Sequence, residues 1–347
     1  MTQQAMTIHR KHAAKEPAVS RQIEELYSIV NSIITNIQGQ SDVNEAFTKR
    51  LLALEDRIAK LESQRRPEPS RAEPGPPPTN LVGLVRRADQ GNNIRSAVYL
   101  GEHLAIARVL DRFKMYVDTR DISLAPHLLL EGYWEMWITK IFCDLLRPGI
   151  TVVDVGANVG YYALLAAAGV GLHGHVHAIE ADPRNFEILE KNVEVNGYRS
   201  IVKTHPCAAL DTRREVLLYQ YRQHYGRNSI FGDPSDPNIR RSVSIPGIPL
   251  DELITEPVDL MKIDAEGSEP LIFEGMPQLL QRSPDIRILM EFAPQMIRAT
   301  MDPLEFLRRI RAAGLNCQVV TYEAKLESWP DEKLLASNIT TVLLTRR

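Results

Sequence analysis

The sequence is poor in cysteine, has no long apolar run and carries no strong excess of either charge. Of its 347 residues only three are cysteine, and Cys143, Cys207 and Cys317 lie far apart. This spacing favours buried thiols in a reducing cytoplasm over a disulfide framework or a zinc site. No run reaches 18 apolar residues, and no apolar segment follows the first basic residues, so neither a transmembrane helix nor a secretory signal is predicted.

The charge balance argues against nucleic acid as the main partner. The formal net charge is −3, and no basic stripe runs along the chain. With 44% hydrophobic residues, the chain is long enough for one large domain with a sizeable core plus appendages.

The N-terminal segment has its own pattern. Residues 1–20 are expected to form a disordered tail, and residues 21–62 a coiled-coil helix that self-associates through residues 23–61. Ten of twelve seam positions are apolar, and Asn44 at an a position is a known register device. Two short helices with a break near residues 39–42 are the alternative. The proline-rich residues 63–80 predict a semi-extended linker.

The remainder of the chain predicts a mostly parallel α/β sheet. Residues 81–150 suggest helices and a short hairpin that cap the main domain, which we place at residues 151–347. Strands and helices alternate there, as in doubly wound sheets, whose ligands bind at the carboxyl ends of the strands. The predicted strands are 151–155, 175–180, 201–206, 215–220, 258–263, 286–291, 316–321 and 338–344. The predicted helices are 160–168, 183–195, 270–281 and 303–313.

The most informative segment is TVVDVGANVGY, residues 151–161. A β-branched run gives way to a small-residue turn and then an apolar helix, an arrangement that brings backbone N–H groups close to a ligand. Glu180 ends the next apolar run, about 20 residues further on, where a carboxylate can accept hydrogen bonds from ribose hydroxyls. The segment therefore predicts a site for an adenosine-type cofactor.

The glycine spacing favours S-adenosylmethionine over NAD. A dinucleotide fingerprint needs glycine at three points, which here are Gly156, Asn158 and Tyr161. The bulky Tyr161 argues against a pyrophosphate on this loop. Asp154 places a carboxylate at the strand tip, which suits the sulfonium and amino groups of S-adenosylmethionine.

A second cluster, VDLMKIDAEGSE, follows a later strand. Asp264 is expected at the carboxyl edge of that strand, where it can orient or deprotonate a hydroxyl or help to hold a divalent cation. Lys262 shares its strand face, because side chains two apart point the same way. Glu266 and Glu291 are candidate partners of Asp264, and Asp264 with Glu291 would be the ligands if Mg²⁺ is bound. Glu269 is equally well explained as a solvated acid in the first turn of a helix.

These motifs together resemble the FkbM-like S-adenosylmethionine-dependent methyltransferases. The resemblance rests on VVDV with GxNxG, the Glu180 strand end, KIDAEGSEP and the later MEF. It covers roughly residues 95–345, including LLLEGYWE at 128–135. It implies a Rossmann-like, seven-stranded class I methyltransferase sheet whose last strand is antiparallel. It also implies O-methylation, often of sugars or sugar-bearing natural products.

The resemblance also assigns site residues. Two departures accompany them: Ala181-Asp182-Pro183 stands where the family commonly has proline directly after the glutamate, and the N-terminal segment lies outside the family domain. Arg227, Asn228 and Ser229 lie in a predicted polar loop and are expected to contact substrate or cofactor. The residues expected to bind the cofactor are Tyr133, Glu135, Asp154, Gly156, Asn158, Gly160, Glu180, Ala208 and Asp211.

The sequence therefore predicts an O-methyltransferase that acts on a hydroxyl of a sugar, polysaccharide or glycosylated natural product. A non-catalytic or NAD-binding protein whose coiled coil serves as an assembly scaffold is the alternative. The expected location is the cytoplasm, with peripheral association with a membrane-bound glycan assembly complex as one option.

Overall fold

The computed structural model describes residues 80–91 and 96–346. The predicted tail, coiled coil and proline-rich linker therefore lie outside the described residues, apart from Asn80. Within the described residues, no helix combines the length and the apolar character that crossing a membrane requires.

Fourteen strands occur in the described part of the chain. They are β1 Ala97–Gly101, β2 Leu104–Val109, β3 Phe113–Asp118, β4 Thr151–Val155, β5 His175–Ile179, β6 Val202–His205, β7 Ala208–Leu210, β8 Arg214–Tyr221, β9 Ile239–Pro249, β10 Leu260–Ile263, β11 Arg287–Phe292, β12 Leu315–Val320, β13 Leu326–Glu327 and β14 Thr340–Arg346.

Eleven α-helices connect or flank these strands in the same residues. They are α1 Leu81–Asp89, α2 Ala125–Leu130, α3 Met136–Leu145, α4 Tyr161–Val170, α5 Pro183–Val195, α6 Leu250–Leu253, α7 Glu269–Glu274, α8 Pro277–Arg282, α9 Pro294–Ile297, α10 Pro303–Ala312 and α11 Asp331–Leu335. Short 3-10 turns cover Gly171–His173 and Tyr225–Arg227.

The main sheet is mixed, with the strand order β13-β12-β14-β11-β10-β4-β5-β6. Strands β11, β10, β4, β5 and β6 pair in parallel, and β14 is antiparallel to both of its neighbours. The sheet has eight strands where seven were expected, because the two-residue β13 adds to its edge. The carboxyl ends of β4, β5, β10 and β11 therefore meet along one edge of the sheet.

Both faces of this sheet are buried, because the β-branched and aliphatic residues of its strands alternate between two cores. Val152 faces a core that includes Leu164 and Leu189 of α4 and α5. Val153, the next residue, faces a second core that includes Leu279 and Phe306 of α8 and α10. Helices on both sides of a mostly parallel sheet form the three-layer arrangement of α/β domains.

Two smaller sheets stand apart from the main one. Strands β1, β2 and β3 form an antiparallel meander, and β7, β9 and β8 form a second three-stranded sheet. The sequence prediction was incomplete here: residues 215–220 form a strand, but outside the main sheet, and residues 239–249 form β9 rather than a loop. Polar, exposed residues and two prolines conceal the alternation of β9.

The predicted helix at 270–281 is two helices, α7 and α8. The break occurs at Gly275, where an added Cβ would lie 1.9 Å from the carbonyl oxygen of Leu210. Pro277 then begins α8 in the first turn, where a missing N–H costs nothing. The close approach to β7 is a long-range constraint that local periodicity does not contain.

Candidate active site

The turn between β4 and α4 contains the predicted glycines. Tight packing explains why these positions require glycine. Gly156 has a φ of +78°, and an added Cβ would lie 1.8 Å from the backbone oxygen of Asp264. Gly160 has a φ of +93°, and a Cβ there would lie 2.6 Å from Leu189 Cδ1. The first glycine therefore holds the two sequence motifs in direct contact, which spacing alone did not reveal.

Glu180 fixes the shape of this turn. Its Oε2 accepts a hydrogen bond from the Asn158 backbone N–H at 2.8 Å, and its Oε1 accepts one from the Asp182 N–H at 2.8 Å. Asn158 has a φ of +51°, a conformation that asparagine tolerates better than most residues. Burial raises the pKa of Glu180 to about 8, although both N–H groups favour the carboxylate.

Asp182 resolves the departure from the family pattern after Glu180. Its Oδ1 accepts hydrogen bonds from the N–H groups of Arg184 and Asn185, so the side chain is the N-cap of α5. Its Oδ2 accepts a hydrogen bond from Asn228 Nδ2 at 3.0 Å. Asp182, in the segment that departs from the family pattern, thus links the helix to the segment containing Asn228.

The predicted substrate segment divides into two parts. Asn228 and Ser229 line the cleft beside Glu180, and Ser229 Oγ donates to the backbone oxygen of Glu266 at 2.8 Å. Arg227 is absent from this lining, and its guanidinium lies 5.3 Å from the ring centroid of Tyr221.

The turn after β10 is stabilised by hydrogen bonds from its own backbone to a buried acid. Glu266 and Gly267 both have positive φ values, of 50° and 96°. Glu269 is 1% exposed, and its carboxylate accepts hydrogen bonds from the N–H groups of Ala265 at 2.9 Å and Gly267 at 3.0 Å. Glu269 lies in the first turn of α7, as one prediction had it, but the prediction that it is solvated was wrong, because it is a buried acid that holds the Asp264 turn.

A buried charged cluster lies beside this turn, and we define it as Glu135, Asp154, Lys262, Asp264 and Glu291. Lys262 Nζ donates to Asp264 Oδ2 at 2.7 Å, which confirms that the two side chains share a strand face. The same Nζ lies 4.6 Å from the ring centroid of Tyr162, whose hydroxyl donates to Glu135 at 3.3 Å. One lysine thus faces four carboxyl groups.

Burial and mutual repulsion raise the pKa values of the acids in this region. Burial, followed by the charge of Asp264, raises the pKa of Glu291 to about 10. Burial also raises the pKa of Glu135 to about 7 and that of Asp154 to about 6, although Lys262 acts in the opposite direction. The pKa of Glu266 rises to about 8 for the same first reason. The cluster therefore has more acid than its lysine can neutralise.

Asp154 has unused hydrogen-bonding capacity. It is 1% exposed, and neither carboxylate oxygen has a hydrogen-bond partner. A buried carboxylate without a partner is costly unless a ligand supplies one. Asp154 pairs with Lys262 across the β10–β4 ladder, but the acids of this region outnumber that one lysine. A cationic ligand is therefore the donor that fits best.

The cofactor cleft is defined by its lining and lies at the carboxyl ends of β4 and β5. Gly156, Asn158, Glu180, Ala208 and Asp264 all line it. Five other predicted cofactor residues do not line it. Asp154 and Gly160 are buried, Glu135 belongs to the charged cluster, Asp211 pairs with Arg214 at 2.5 Å, and Tyr133 packs against the hydrophobic core. The lining comprises Val155, Gly156, Asn158, Ile179, Glu180, Ala181, Asp182, Asn185, Cys207, Ala208, Ala209, Leu218, Tyr225, Gly226, Asn228, Ser229, Ile230, Asp264, Ala265, Glu266 and Ser268.

The metal hypothesis finds no support in this geometry. Within residues 80–91 and 96–346, no group of three or more histidine, cysteine, aspartate or glutamate side chains is arranged to hold a metal ion. Lys262, rather than a cation site, lies against Asp264.

The motifs, the mixed α/β sheet and the cleft agree with comparison to known families. Residues 154–317 match the family model described as the methyltransferase FkbM domain. This match spans just under half of the chain, which is thus similar to that family over its central part.

Curated relatives match over shorter segments. The protein-L-isoaspartate O-methyltransferase of Methanothrix thermoacetophila is 40% identical over 79 residues, which are 22% of this chain and 33% of that protein. Protein-L-isoaspartate O-methyltransferase 1 of Archaeoglobus fulgidus is 34% identical over 100 residues, 26% of this chain and 41% of that protein. The chain thus spans about a third of the length of the curated relatives it matches.

Among solved structures, the methyltransferase FkbM of Methylobacillus flagellatus has a TM-score of 0.38 and 17% identity. That alignment covers 60% of this chain and 52% of the other. The O-methyltransferase of Bacillus cereus, in complex with SAH, has a TM-score of 0.36 and 15% identity, and its alignment covers 83% of this chain and 96% of the other.

Proposed function

We propose that this chain is an S-adenosylmethionine-dependent methyltransferase that methylates a hydroxyl of a sugar, polysaccharide or glycosylated natural product. The observation that carries the proposal is the pair of carboxyls in the cofactor cleft region. Glu180 is oriented by two backbone N–H groups, and the buried Asp154 has no partner. The family match supports the class of reaction.

The residues of the cleft fit the methyl donor. Glu180 retains lone pairs for the two ribose hydroxyls. Ala208, with Leu218 and Ile230, offers an apolar wall for a flat base. Asp154 does not itself line the cleft, but it directly precedes Val155, which does, and its unpartnered carboxyl can accept hydrogen bonds from an ammonium group. The excess of carboxyls favours a sulfonium. When bound, S-adenosylmethionine supplies an activated methyl group.

Methyl transfer is a displacement in which the acceptor oxygen forms a bond to the methyl carbon as the carbon–sulfur bond breaks. The electron pair of that bond goes to sulfur, and the hydroxyl proton must leave. We assign this proton to Asp264, which lines the cleft and is held by Lys262. Glu266 and Glu291 are nearby carboxyls that can share it. Proximity of well-oriented reactants supplies much of the rate, about 7–11 kcal/mol.

The reaction is tested with purified protein and methyl-labelled S-adenosylmethionine, using a panel of hydroxylated glycosides as acceptors. Calorimetry with S-adenosylhomocysteine and with NAD separates the methyl-donor site from the alternative dinucleotide site. The Asp264→Asn variant should bind S-adenosylhomocysteine as the wild type does but lose about 10²–10⁴-fold in turnover.

Asp285→Asn is the matched control, because Asp285 is an exposed aspartate outside the cleft. It should leave binding and turnover unchanged. Unreduced turnover in Asp264→Asn would remove Asp264 from the mechanism, and binding of NAD in preference to S-adenosylhomocysteine would contradict the proposed activity.

We propose further that residues 23–61 assemble two or more catalytic domains in the cytoplasm, at or near a glycan assembly complex. The apolar heptad pattern supports this proposal, because tethered sites raise the effective concentration at a repeated acceptor. Light scattering on the whole chain and on a chain lacking residues 1–80 tests it, and an equal oligomeric state would contradict it.

A further inference from the structure

A second cleft opens on the other side of the charged cluster. It follows the main-sheet edge where β11 and β12 end and the antiparallel β14 begins, whereas the cofactor cleft follows the ends of β4 and β5. We call it the acidic cleft. Its lining is Glu135, Trp137, Ile138, Glu291, Val319, Val320, Thr321, Tyr322, Glu323, Glu327, Trp329, Ser337, Ile339, Thr340 and Thr341.

The two clefts flank the same buried charges. Asp264 lines the cofactor cleft, and Glu135 and Glu291 line the acidic cleft. Lys262 lies between them, bonded to Asp264 at 2.7 Å and stacked on Tyr162, which donates to Glu135. A molecule in the acidic cleft would therefore lie across the charged cluster from the cofactor cleft.

The walls of the acidic cleft exclude one class of acceptor. Within the described part of the chain, four glutamates and no lysine, arginine or histidine line it. A phosphate or a carboxylate entering here would find no basic side chain in the lining to pair with. An acidic peptide or a phosphorylated sugar is thus a poor fit.

Aromatic rings add a second recognition element. Trp137 and Tyr322 meet edge to face with centroids 4.7 Å apart, and Tyr322 is 77% exposed. Exposed rings of this kind bind the apolar face of a ring or a cation. Trp329 already has such a partner, because Lys333 Nζ lies 3.6 Å from its centroid.

We propose that the acidic cleft binds the acceptor, and that this acceptor is a hydroxylated ring carrying a protonated amine. The inference rests on the proposed methyl transfer and narrows its substrate class. The carboxyls hold the amine in its protonated form, which is not a nucleophile, so the methyl group goes to a hydroxyl. The raised pKa values of Glu135 and Glu291, due first to burial, agree with acids that share a single lysine as their counter-ion.

The test measures binding of the methyl glycosides of glucosamine, N-acetylglucosamine and glucose, with glucose 6-phosphate as the anionic probe. Calorimetry or saturation-transfer NMR is run on the full chain, first without cofactor and then with S-adenosylhomocysteine, below the pKa of the amine. The amine glycoside should bind at least about tenfold more tightly than each of the others.

Three variants locate that preference. Glu291→Gln and the exposed Glu323→Gln should each reduce the preference for the amine, the first to about threefold or less. Tyr322→Ala should weaken all the glycosides by a similar factor. Glu194→Gln is the control, because Glu194 is an exposed glutamate paired with Arg199 outside the cleft.

Equal affinities, tighter binding of the phosphate, or an amine preference that survives both glutamate changes would overturn the inference. Failure of the proposed function has a different signature. The protein would then bind neither S-adenosylhomocysteine nor S-adenosylmethionine and would label no acceptor, whereas the amine preference in the free protein would persist.

Discussion

The carboxyls around the cofactor cleft and those of the charged cluster differ in their partners. Glu180 and Glu269 each accept two backbone N–H groups. Asp154 has no hydrogen-bond partner, and Glu291 and Glu135 compete for the influence of one lysine. Burial raises the pKa of acids in both sets, but only the first set is held by backbone N–H groups.

This difference separates acids that maintain a turn, whether or not they also contact a ligand, from acids that have no structural partner. An acid with N–H partners maintains the turn that bears it, so Glu180 holds Asn158 and Glu269 holds the Asp264 turn. An acid without hydrogen-bond partners is stabilised most by a bound cation, because the ligand then supplies the donor that the protein lacks. We therefore expect substitutions in the first set to lower both stability and ligand binding. A substitution of Asp154 should lower ligand binding without lowering stability.

The largest expected effect comes from adding a side-chain atom where the turn after β4 contacts the turn after β10. In Gly156→Ala, the new Cβ would lie 1.8 Å from the Asp264 oxygen at a φ of +78°, so the turn and the strand end must separate. We expect a loss of about 3–5 kcal/mol in the free energy of unfolding. Cofactor binding should also be lost, as measured by denaturant unfolding and by titration with S-adenosylhomocysteine.

Gly149→Ala is the matched control for this change. Gly149 has a φ of +82°, but nothing lies within 4 Å of an added Cβ, so only the backbone strain remains. It should cost about 1–2 kcal/mol and leave cofactor affinity intact. Equal losses in the two variants would show that strain alone, and not the contact with Asp264, explains Gly156.

The next prediction compares one acid of each kind. In Asp154→Asn the buried charge disappears without breaking a hydrogen bond, so the free energy of unfolding should stay the same or rise by about 1 kcal/mol. Its affinity for the cofactor should nevertheless fall about 10- to 100-fold, because the ammonium group loses its partner.

Glu180→Gln should behave differently, because an amide nitrogen would face one of the two N–H groups that the carboxylate now accepts. We expect a loss of about 1–3 kcal/mol in the free energy of unfolding, together with weaker cofactor binding. Thermal unfolding and calorimetry on both variants measure the two quantities. Parallel losses of stability in Asp154→Asn and Glu180→Gln would contradict the division of the acids.

The parts of the site that sequence predicted are the local ones. The bounds of β4 at 151–155 and α5 at 183–195 match the prediction, because a β-branched run and a capped helix are set by neighbouring residues. The shared face of Lys262 and Asp264 follows from the period of a strand. These features depend on spacings of a few residues.

The parts that were missed depend on residues far apart in the chain. Glu135 was expected to cap the cofactor, but it lines the acidic cleft and interacts with Tyr162 and Lys262, 27 and 127 positions later. The close contact of Gly156 with Asp264 spans more than a hundred residues. No local pattern contains such pairings, because they arise only when the strands assume their order in the sheet.

The smallest expected effect is the number of protons released when the cofactor binds. Measuring it tests the comparison between the two sets of acids in the unmutated protein. The raised pKa values of Asp154, Glu135 and Glu180, at about 6, 7 and 8, mean that the folded protein binds more protons than the unfolded chain between about pH 4.5 and 8. The contribution of these acids to stability therefore falls as the pH rises through this window. A cationic ligand favours the ionised acids, so its binding should release protons and tighten from pH 6 to pH 8.

Calorimetry of S-adenosylmethionine binding at pH 7 in two buffers of different ionisation enthalpy measures this release, which we expect to be about one proton. S-adenosylhomocysteine keeps the ammonium group but lacks the sulfonium, so it should release fewer. Asp154→Asn should reduce the release for both ligands. Binding enthalpies that do not depend on the buffer would mean that the unpartnered acids do not respond to the cofactor, and the distinction between the two sets would then fail.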